Sequence, residues 1–385
     1  MQGETMNGVR RLCGGPEPAE RWCRAWRRAS PVPELLLLLA ATDTAAVEGI
    51  SAAGATARSR RQTAAADAEL LLLGPAGKRR HALPPLPAGV TPALIARVVV
   101  EALALEPLVV DLGCAVAPEA PHLRPAGAAA GGPAACLSSG AALDPDRVQA
   151  LLALGQRWGK RLAARGRPLL LAECVPGGTS TAQALLSGLG LAVEGLVSGS
   201  LRTPAHGLKA ALVRRGLAAA QLPPAAPAGR VVAAVGDAMQ PLAAALTVAV
   251  AGAGVPVLLA GGSQMAAVLA LALALAPAQQ RAVIAAQAAV VSTAWVAEER
   301  GSDLALLLAR LASHWDVQPL AFTASLRFGE NCHQALRDYE RGYVKEGVGA
   351  GGLALLWELR GGDPQALAIA CDRACRQLLV GDGNP

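Results

Sequence analysis

Aromatic residues make up only 3% of the 385 residues, so this chain has few rings with which to stack on bases. Arginine supplies nearly all of the positive charge, and the formal net charge is +6. The arginine pairs are not interleaved with aromatic side chains, as they are in many surfaces that bind nucleic acid. We therefore expect no nucleic-acid partner and favour a basic pocket for a small phosphorylated ligand. The few lysines are Lys78, Lys160, Lys209 and Lys345.

The eight cysteines include no Cys-x-x-Cys pair and no histidine–cysteine combination at the spacing of a zinc site. Cys371 and Cys375 are spaced to share one helix face, where two small buried residues are the simpler interpretation. The sequence therefore predicts a reduced, cytoplasmic protein with no structural metal.

Two further nucleotide motifs and one nucleophile motif are missing or misplaced. No lysine is followed by Ser or Thr, which excludes a P-loop, and there is no Gly-x-Ser-x-Gly elbow. Gly347-x-Gly349-x-x-Gly352 matches the dinucleotide fingerprint, and Asp372 lies twenty residues beyond it. The preceding residues do not form a convincing buried strand, so an NAD-dependent oxidoreductase stays a minor alternative.

Long uninterrupted hydrophobic runs are also missing. Residues 241–277 are almost wholly apolar, but several glycines and Pro256 interrupt any helix long enough to cross a membrane. The leucine run 35–39 comes after the basic pair Arg27-Arg28, an arrangement that resembles a signal peptide. The run is short, however, and the charged Glu34 lies directly before it. We expect these segments to lie in a core and expect no membrane partner.

Short apolar runs alternate with helical segments from residue 34 to residue 320. This alternation predicts an α/β fold with a doubly wound, mostly parallel, Rossmann-like sheet and helices on both faces. We expect a disordered extension over 1–30, one α/β domain over 31–360, and a C-terminal helix and tail over 361–385. The predicted strands are residues 34–41, 70–73, 108–111, 169–172, 193–200, 231–235 and 255–259.

The most informative stretch is residues 168–190. A buried-type strand ends at Pro176-Gly177-Gly178, and Thr179-Ser180-Thr181 then offers N-cap hydroxyls to a helix that ends near Gly188. Free backbone N–H groups and the positive end of a helix dipole at one point favour an anion, most often a phosphate. Glu173 lies at the carboxyl end of the strand, where open α/β sheets bind ligands.

Glycine turns recur after the predicted strands that end at 235 and 259, as Gly236-Asp237 and Gly261-Gly262. Turns that follow parallel strands meet at one edge of a sheet, which predicts a single ligand site there. Glu173 and Glu346, each in a glycine-rich segment, are both candidates for a general base if they are closed from water. Taken alone, these residues indicate an α/β protein that binds a phosphorylated small molecule, whether or not it is an enzyme.

Seven motifs in collinear order extend this interpretation. They resemble the nicotinate-nucleotide:dimethylbenzimidazole phosphoribosyltransferase family, which builds the lower ligand of cobamides, and especially its divergent archaeal and cyanobacterial branch. The motifs are residues 49–54 (Gly-Ile-Ser-Ala-Ala-Gly), 89–95 (Gly-Val-Thr-Pro-Ala-Leu-Ile), 173–181 (Glu-Cys-Val-Pro-Gly-Gly-Thr-Ser-Thr), 195–200 (Gly-Leu-Val-Ser-Gly-Ser), 235–241 (Val-Gly-Asp-Ala-Met-Gln-Pro), 258–265 (Leu-Leu-Ala-Gly-Gly-Ser-Gln-Met) and 344–351 (Val-Lys-Glu-Gly-Val-Gly-Ala-Gly).

The resemblance implies transfer of the phosphoribosyl group of nicotinate mononucleotide to a benzimidazole or purine base, without cofactor or metal, by a homodimer. It implies that Glu346 is the catalytic base. It further implies that the substrates contact Glu173, Gly177, Gly178, Thr179, Ser180, Thr181, Gly199, Ser200, Lys209, Gly236, Asp237, Gly261 and Gly262.

The central turn departs from the family pattern. It reads Cys-Val-Pro-Gly-Gly where the better-studied enzymes have Met-Gly-Ile-Gly-Asn, which leaves the acceptor base open. A non-catalytic nucleotide-binding or regulatory protein that retains the pocket is the alternative.

Overall fold

A computed structural model describes residues 4–6, 9–28 and 30–381 of the protein. Eight strands form one sheet in the order β1-β2-β8-β7-β6-β5-β3-β4. The six strands β3 to β8 are parallel, and β1 and β2 extend one edge in antiparallel pairing. The strands are β1 Glu4–Met6, β2 Val9–Cys13, β3 Glu34–Leu39, β4 Pro107–Asp111, β5 Leu169–Cys174, β6 Val257–Ala260, β7 Ala288–Ser292 and β8 Leu320–Thr323.

Helices cover both faces of this sheet, which confirms the predicted doubly wound α/β fold. They are α1 Pro16–Arg27, α2 Ala57–Arg60, α3 Thr63–Leu73, α4 Ala93–Ala102, α5 Pro145–Arg165, α6 Gly178–Gly188, α7 His206–Ala220, α8 Ala228–Val235, α9 Met239–Gly252, α10 Ser263–Leu275, α11 Ala278–Gln287, α12 Ala294–Ala297, α13 Leu304–Trp315, α14 Gln334–Arg337, α15 Ala350–Leu359 and α16 Pro364–Gly381. Residues 112–144, between β4 and α5, contain only two short 3₁₀ turns.

The central strands are buried on both faces, which explains their uninterrupted leucine runs. In β3, Leu36 and Leu38 pack with the core on the α5–α9 side, and Leu35, Leu37 and Leu39 pack with the core on the α4–α15 side. Burying each such side chain contributes about 1.5–3 kcal/mol. A parallel strand covered by helices on both sides has no solvent face on which to alternate polar residues.

Part of the predicted N-terminal extension is ordered, so that prediction is wrong for the described residues. Strand β2 pairs with β8, and α1 lies against α15 and α11. Trp22 is buried and stacks on Phe322 of β8, with ring centroids 5.0 Å apart. Trp26, 5.4 Å from Trp22, is also buried. These two aromatic side chains supply the apolar contact that holds a segment otherwise rich in charge.

Three predicted strands are not strands in the structure. Residues 70–73 end helix α3, residues 231–235 end helix α8, and residues 193–200 form an irregular segment. A short apolar run does not distinguish a strand from a helix that is buried on most sides. Helix α3 is such a case, because every residue from Thr63 to Leu71 is buried.

The order of the strands defines where a ligand can bind. From β3 the chain first adds β4 on one side and then β5 on the other, so the direction of winding reverses between β3 and β5. In open α/β sheets, ligands bind outside the carboxyl ends of strands at such a reversal. Among the described residues, no helix combines the length and hydropathy that a membrane span requires.

Candidate active site

A cavity of about 390 Å³ opens at the reversal between β3 and β5. Its walls come from residues 51–53 after β3, residues 173–179 after β5 and residues 262–264 after β6. Further parts of the lining are residues 83–86, residues 89–92, residues 198–200, Val296, residues 344–347, part of α3 and the end of α16. This volume lies within the range of small-molecule sites. Separate segments of the chain thus converge on one concave site.

Eight of the fourteen residues selected from the sequence line this cavity: Glu173, Gly177, Gly178, Thr179, Gly199, Ser200, Gly262 and Glu346. Six are not in its lining: Ser180, Thr181, Lys209, Gly236, Asp237 and Gly261. Gly261 nevertheless adjoins the site, because a Cβ atom on it would lie 3.7 Å from Oε1 of Glu173. The turn at Gly236 and Asp237 joins α8 to α9 rather than ending a strand, and Thr181 donates a 2.5 Å hydrogen bond to Asp237.

Glu173 ends strand β5 with its side chain buried. Its Oε1 accepts a hydrogen bond from the Gln264 amide at 2.9 Å, and its Oε2 accepts one from the Val175 N–H at 3.0 Å. The pKa of the Glu173 carboxyl is raised to about 8. Burial is the largest cause, and the nearby Glu346 and Asp237 carboxylates add to it, while the two hydrogen-bond donors lower the pKa by less. At neutral pH most Glu173 side chains therefore carry a proton.

Glu346 is partly exposed at the cavity and receives four hydrogen bonds. Its Oε2 accepts from the Ser292 hydroxyl at 2.9 Å and the Thr293 N–H at 2.8 Å. Its Oε1 accepts from the N–H groups of Gly347 and Gly351, both at 3.1 Å. Burial raises the pKa of Glu346, and the four donors oppose that rise. The result is a carboxylate of increased basicity whose position is defined by surrounding donors.

The segment that carries Glu346 has an unusual backbone. Val344, Lys345 and Val348 have φ angles of 65°, 56° and 51°, in the left-handed region that residues other than glycine rarely occupy and β-branched ones least of all. Each such residue costs on the order of 1–3 kcal/mol, which surrounding contacts must offset. One of those contacts links the two acids, since the Val348 N–H donates to the Glu173 carbonyl at 2.9 Å.

Two helices begin at the cavity and supply positive potential there. Gly177, with φ of 83°, precedes the first residue of α6, and Gly262 precedes the first residue of α10. The hydroxyls of residues 179–181 do not cap α6, contrary to expectation, because these residues already lie inside its first turn. At α6 the N–H groups of Gly178 and Ser180 already donate to the carbonyls of Val175 and Gly177, at 2.8 and 2.9 Å. The start of α10 is therefore better suited to an anion, and α6 contributes mainly its helix dipole.

Lys209 lies behind the cavity wall. Its ammonium is fully buried and donates to the Ser198 carbonyl. Glycine at position 199 gives the lysine this room, since a Cβ atom there would lie 3.2 Å from the lysine Nζ. Burial lowers the pKa of Lys209 to about 7, although the nearby Glu299 opposes this. The structure thus places this lysine one residue layer from the cavity.

Asp67 lines the cavity, although no sequence motif predicts it as a site residue. It lies on α3, and its Oδ1 accepts a 2.6 Å hydrogen bond from the Thr91 hydroxyl. Burial raises the pKa of Asp67 to about 6. An acidic residue in the otherwise apolar first part of a helix could have indicated a site residue. Because residues 70–73 were expected to form a strand, the helix that contains Asp67 was not predicted. Lys345 was also missed; it lines the cavity and pairs with Glu299 at 2.6 Å.

This geometry joins a basic carboxylate, a protonated carboxyl and two helix N-termini in one cavity. Such a site can accept a proton, donate a hydrogen bond and hold an anion at the same time. No cluster of histidine, cysteine or acidic side chains suited to a metal occurs in the part of the chain that the structure describes.

Comparisons with known proteins agree with the motif resemblance. The chain has the doubly wound α/β architecture with its site at the winding reversal, and it belongs to the UPF0284 protein family. A UPF0284 protein of Parasynechococcus marenigrum is 53% identical over 366 residues, covering 94% of this chain and 90% of the relative. One of Gloeobacter violaceus is 46% identical over 362 residues, covering 94% and 92%. No protein-family model matches the chain.

Solved structures share the fold. The nicotinate-nucleotide-dimethylbenzimidazole phosphoribosyltransferase of Thermus thermophilus superposes with a TM-score of 0.56 at 22% identity, covering 92% of this chain and 88% of that one. A structure of CobT from the same organism gives a TM-score of 0.57 at 21% identity, covering 96% and 92%. At this identity the likeness establishes a common fold.

Proposed function

We propose that the protein transfers the phosphoribosyl group of nicotinate mononucleotide to a benzimidazole-type base, giving α-ribazole phosphate and nicotinate for cobamide synthesis. The observation that carries the proposal is the position of Glu346. A carboxylate of raised pKa faces a cavity on which the N-termini of α6 and α10 also converge. That arrangement suits a reaction between a weakly acidic azole and a phosphorylated ribosyl donor.

In this proposal Glu346 accepts the proton of the azole N–H. Loss of that proton makes the other ring nitrogen of the azole more nucleophilic, and this nitrogen attacks C1′ of the ribose while the bond from C1′ to the nicotinate nitrogen breaks. The electron pair of that bond neutralises the cationic pyridinium nitrogen, so nicotinate leaves without a general acid. Attack on the face opposite the leaving group inverts β to α. Holding both substrates in this geometry supplies much of the rate enhancement.

The substrate's phosphate is proposed to lie between the start of α10 and residues 198–200. There the Ser198 N–H bonds to Ser263 Oγ at 3.0 Å, which keeps the wall close to the helix N-terminus. The positive charge of Lys209, behind Gly199, adds to the attraction for a phosphate. The protonated Glu173 is proposed to donate a hydrogen bond to the ribosyl group, which a second carboxylate in the cavity would instead repel.

The test is nicotinate release from nicotinate mononucleotide by the purified protein, with and without dimethylbenzimidazole, other benzimidazoles and purines. We expect acceptor-dependent release that Glu346→Gln abolishes. Glu330→Gln, a substitution of an exposed glutamate outside the cavity lining, is the matched control and should leave release unchanged. Calorimetric binding of nicotinate mononucleotide without turnover on any acceptor would instead identify a non-catalytic nucleotide-binding protein.

A further inference from the structure

A second cavity, of about 600 Å³, lies beside the candidate active site. Its walls come from residues 202–204, from residues 298–301 after α12, from Arg327 after β8 and from residues 339–342. Lys345 lines both cavities, so the segment that carries Glu346 separates them. The two sites therefore share one wall.

This second cavity is rich in arginine. Its lining includes five cationic and three acidic side chains. The acidic ones are already paired: Glu298 with Arg10 and Arg327, Glu340 with Arg327, and Glu299 with Lys345. The cations that remain therefore determine the charge that a ligand would meet.

Arg202 and Arg300 have no acidic partner among the residues that the structure describes. Arg202 lies against Gly342, where a Cβ atom would be 3.8 Å from the arginine Cγ. Arg300 precedes Gly301, whose Cβ position lies 2.9 Å from Pro204. Two separate loops, packed against each other, thus each bring one uncompensated guanidinium to the same cavity.

The cavity also includes a buried ion pair. Lys345 and Glu299 are almost completely buried side chains, and Lys345 Nζ also donates to the Leu201 carbonyl at 2.6 Å. A buried pair of this kind contributes little net stability, because desolvation of both charges offsets their attraction. Because Glu299 compensates Lys345, the two unpaired arginines supply the charge that remains for a ligand, and the free capacity of the pocket is for negative charge.

We propose that the second cavity binds a small polyanion, a molecule that carries two or more phosphate or carboxylate groups. The planar fork of a guanidinium matches both groups through paired hydrogen bonds. A volume of about 600 Å³ accommodates more than a single oxyanion. This site is distinct from the proposed nucleotide site, and its occupant would contact the segment that positions Glu346.

The experiment is isothermal titration of the full-length protein with inorganic pyrophosphate and, separately, with citrate. We expect at least one of them to bind the wild-type protein; the first identifies a phosphate ligand and the second a carboxylate ligand. Arg202→Gln and Arg300→Gln should each weaken binding about tenfold, and the double variant more than either. Both side chains are exposed, so the variants should fold, as circular dichroism can verify.

Arg310→Gln is the matched control, because Arg310 is an exposed arginine on α13 outside both cavity linings. It should bind the probe like the wild type. Binding should also persist when nicotinate mononucleotide is present at saturation. The proposal is overturned if neither probe binds at millimolar concentration, if the double variant binds as tightly as the wild type, or if nicotinate mononucleotide displaces the probe. Because binding is measured without turnover, this result is independent of the proposed reaction.

Discussion

The two turns that bring carboxyl groups to the cavity differ in how they are built. The turn after β5 carries Glu173 at the end of a regular strand and leads directly into α6. The segment before α15 carries Glu346 between residues in the left-handed region. The first turn follows from local sequence, whereas the second persists only because distant residues hold it.

The two acids also differ in what surrounds them. Glu173 is more deeply buried and receives two hydrogen bonds, while Glu346 is partly exposed and receives four. Donors stabilise the charged form of a carboxyl, and burial stabilises its neutral form. In the proposed reaction, this contrast supports a protonated Glu173 and Glu346 as the base. Two glutamates in one cavity can therefore have opposite chemical roles.

The largest expected effect comes from replacing each acid in turn by glutamine. Glu346→Gln removes the base and should lower kcat about 100- to 10,000-fold. Glu173→Gln replaces a protonated carboxyl by a neutral amide and should cost less than about tenfold at pH 7. Steady-state nicotinate release from both variants checks this. Equal losses in the two variants would contradict the division of roles.

A second prediction concerns a glycine beside each acid. A Cβ atom at Gly351 would lie 2.3 Å from the Thr293 nitrogen and 2.6 Å from Oε2 of Glu346. Since the backbone at Thr293 cannot shift readily to make room, Gly351→Ala should displace the proposed base Glu346 and lower kcat about 100-fold. At Gly178 the Cβ atom would meet the Gln264 amide oxygen at 1.8 Å, at the far end of a flexible side chain.

Gly178→Ala should consequently cost about tenfold less activity than Gly351→Ala, since Gln264 can rotate and leave Glu173 with one donor fewer. The measurement is kcat for both variants together with thermal unfolding. If Gly178→Ala were the more damaging change, the Glu173 turn would be the more tightly constrained one.

A third prediction tests whether the phosphate lies between the start of α10 and residues 198–200, within reach of the charge of Lys209 behind Gly199. Lys209→Met should raise KM for nicotinate mononucleotide about tenfold and leave kcat within about twofold. Because the pKa of Lys209 is about 7, its charge is present below pH 7 and lost above it. The wild-type KM should therefore rise as the pH increases through 7, and the variant's should not. A KM at pH 6 that the substitution leaves unchanged argues against this placement.

The smallest effect concerns stability. The pKa of Glu173 is raised from its ordinary 4.5 to about 8, so the folded protein retains a proton that the unfolded chain loses. The associated stability is fully present below pH 4.5 and is lost as the pH rises toward 8. Glutamine does not ionise, so Glu173→Gln should remove this pH-dependent loss of stability. The unfolding temperature of the variant minus that of the wild type should therefore be larger at pH 9 than at pH 5, as measured by differential scanning calorimetry.

Comparing variant with wild type at each pH cancels the contribution of titrating groups that do not interact with Glu173. Lys209 in particular acts in the opposite sense, since its lowered pKa adds stability between about pH 7 and its ordinary 10.5. A gain that does not change with pH would show that Glu173 is ionised in the folded protein.

Local sequence was sufficient to predict the elements that are bounded by capping residues or glycine turns. Asp144 caps α5 by accepting a hydrogen bond from the Asp146 N–H, the strand, turn and helix around Glu173 follow their glycines, and Gly262 precedes α10. It was insufficient at residues 231–235, where a short apolar run ends a helix that packs between α5, α6 and α7. Hydrophobic periodicity and the length of the run do not distinguish a buried strand from such a helix, because a helix buried on several sides has no polar stripe.

The sequence by itself determined the α/β alternation, the glycine turns and the two acids worth attention. Only the tertiary structure decided that Asp67 lines the cavity, that Lys209 lies behind its wall and that the pKa of Glu173 is raised. The reason is physical. A turn is encoded by the conformational preferences of adjacent residues, whereas the proton affinity of a carboxyl depends on burial and on donors contributed by distant segments.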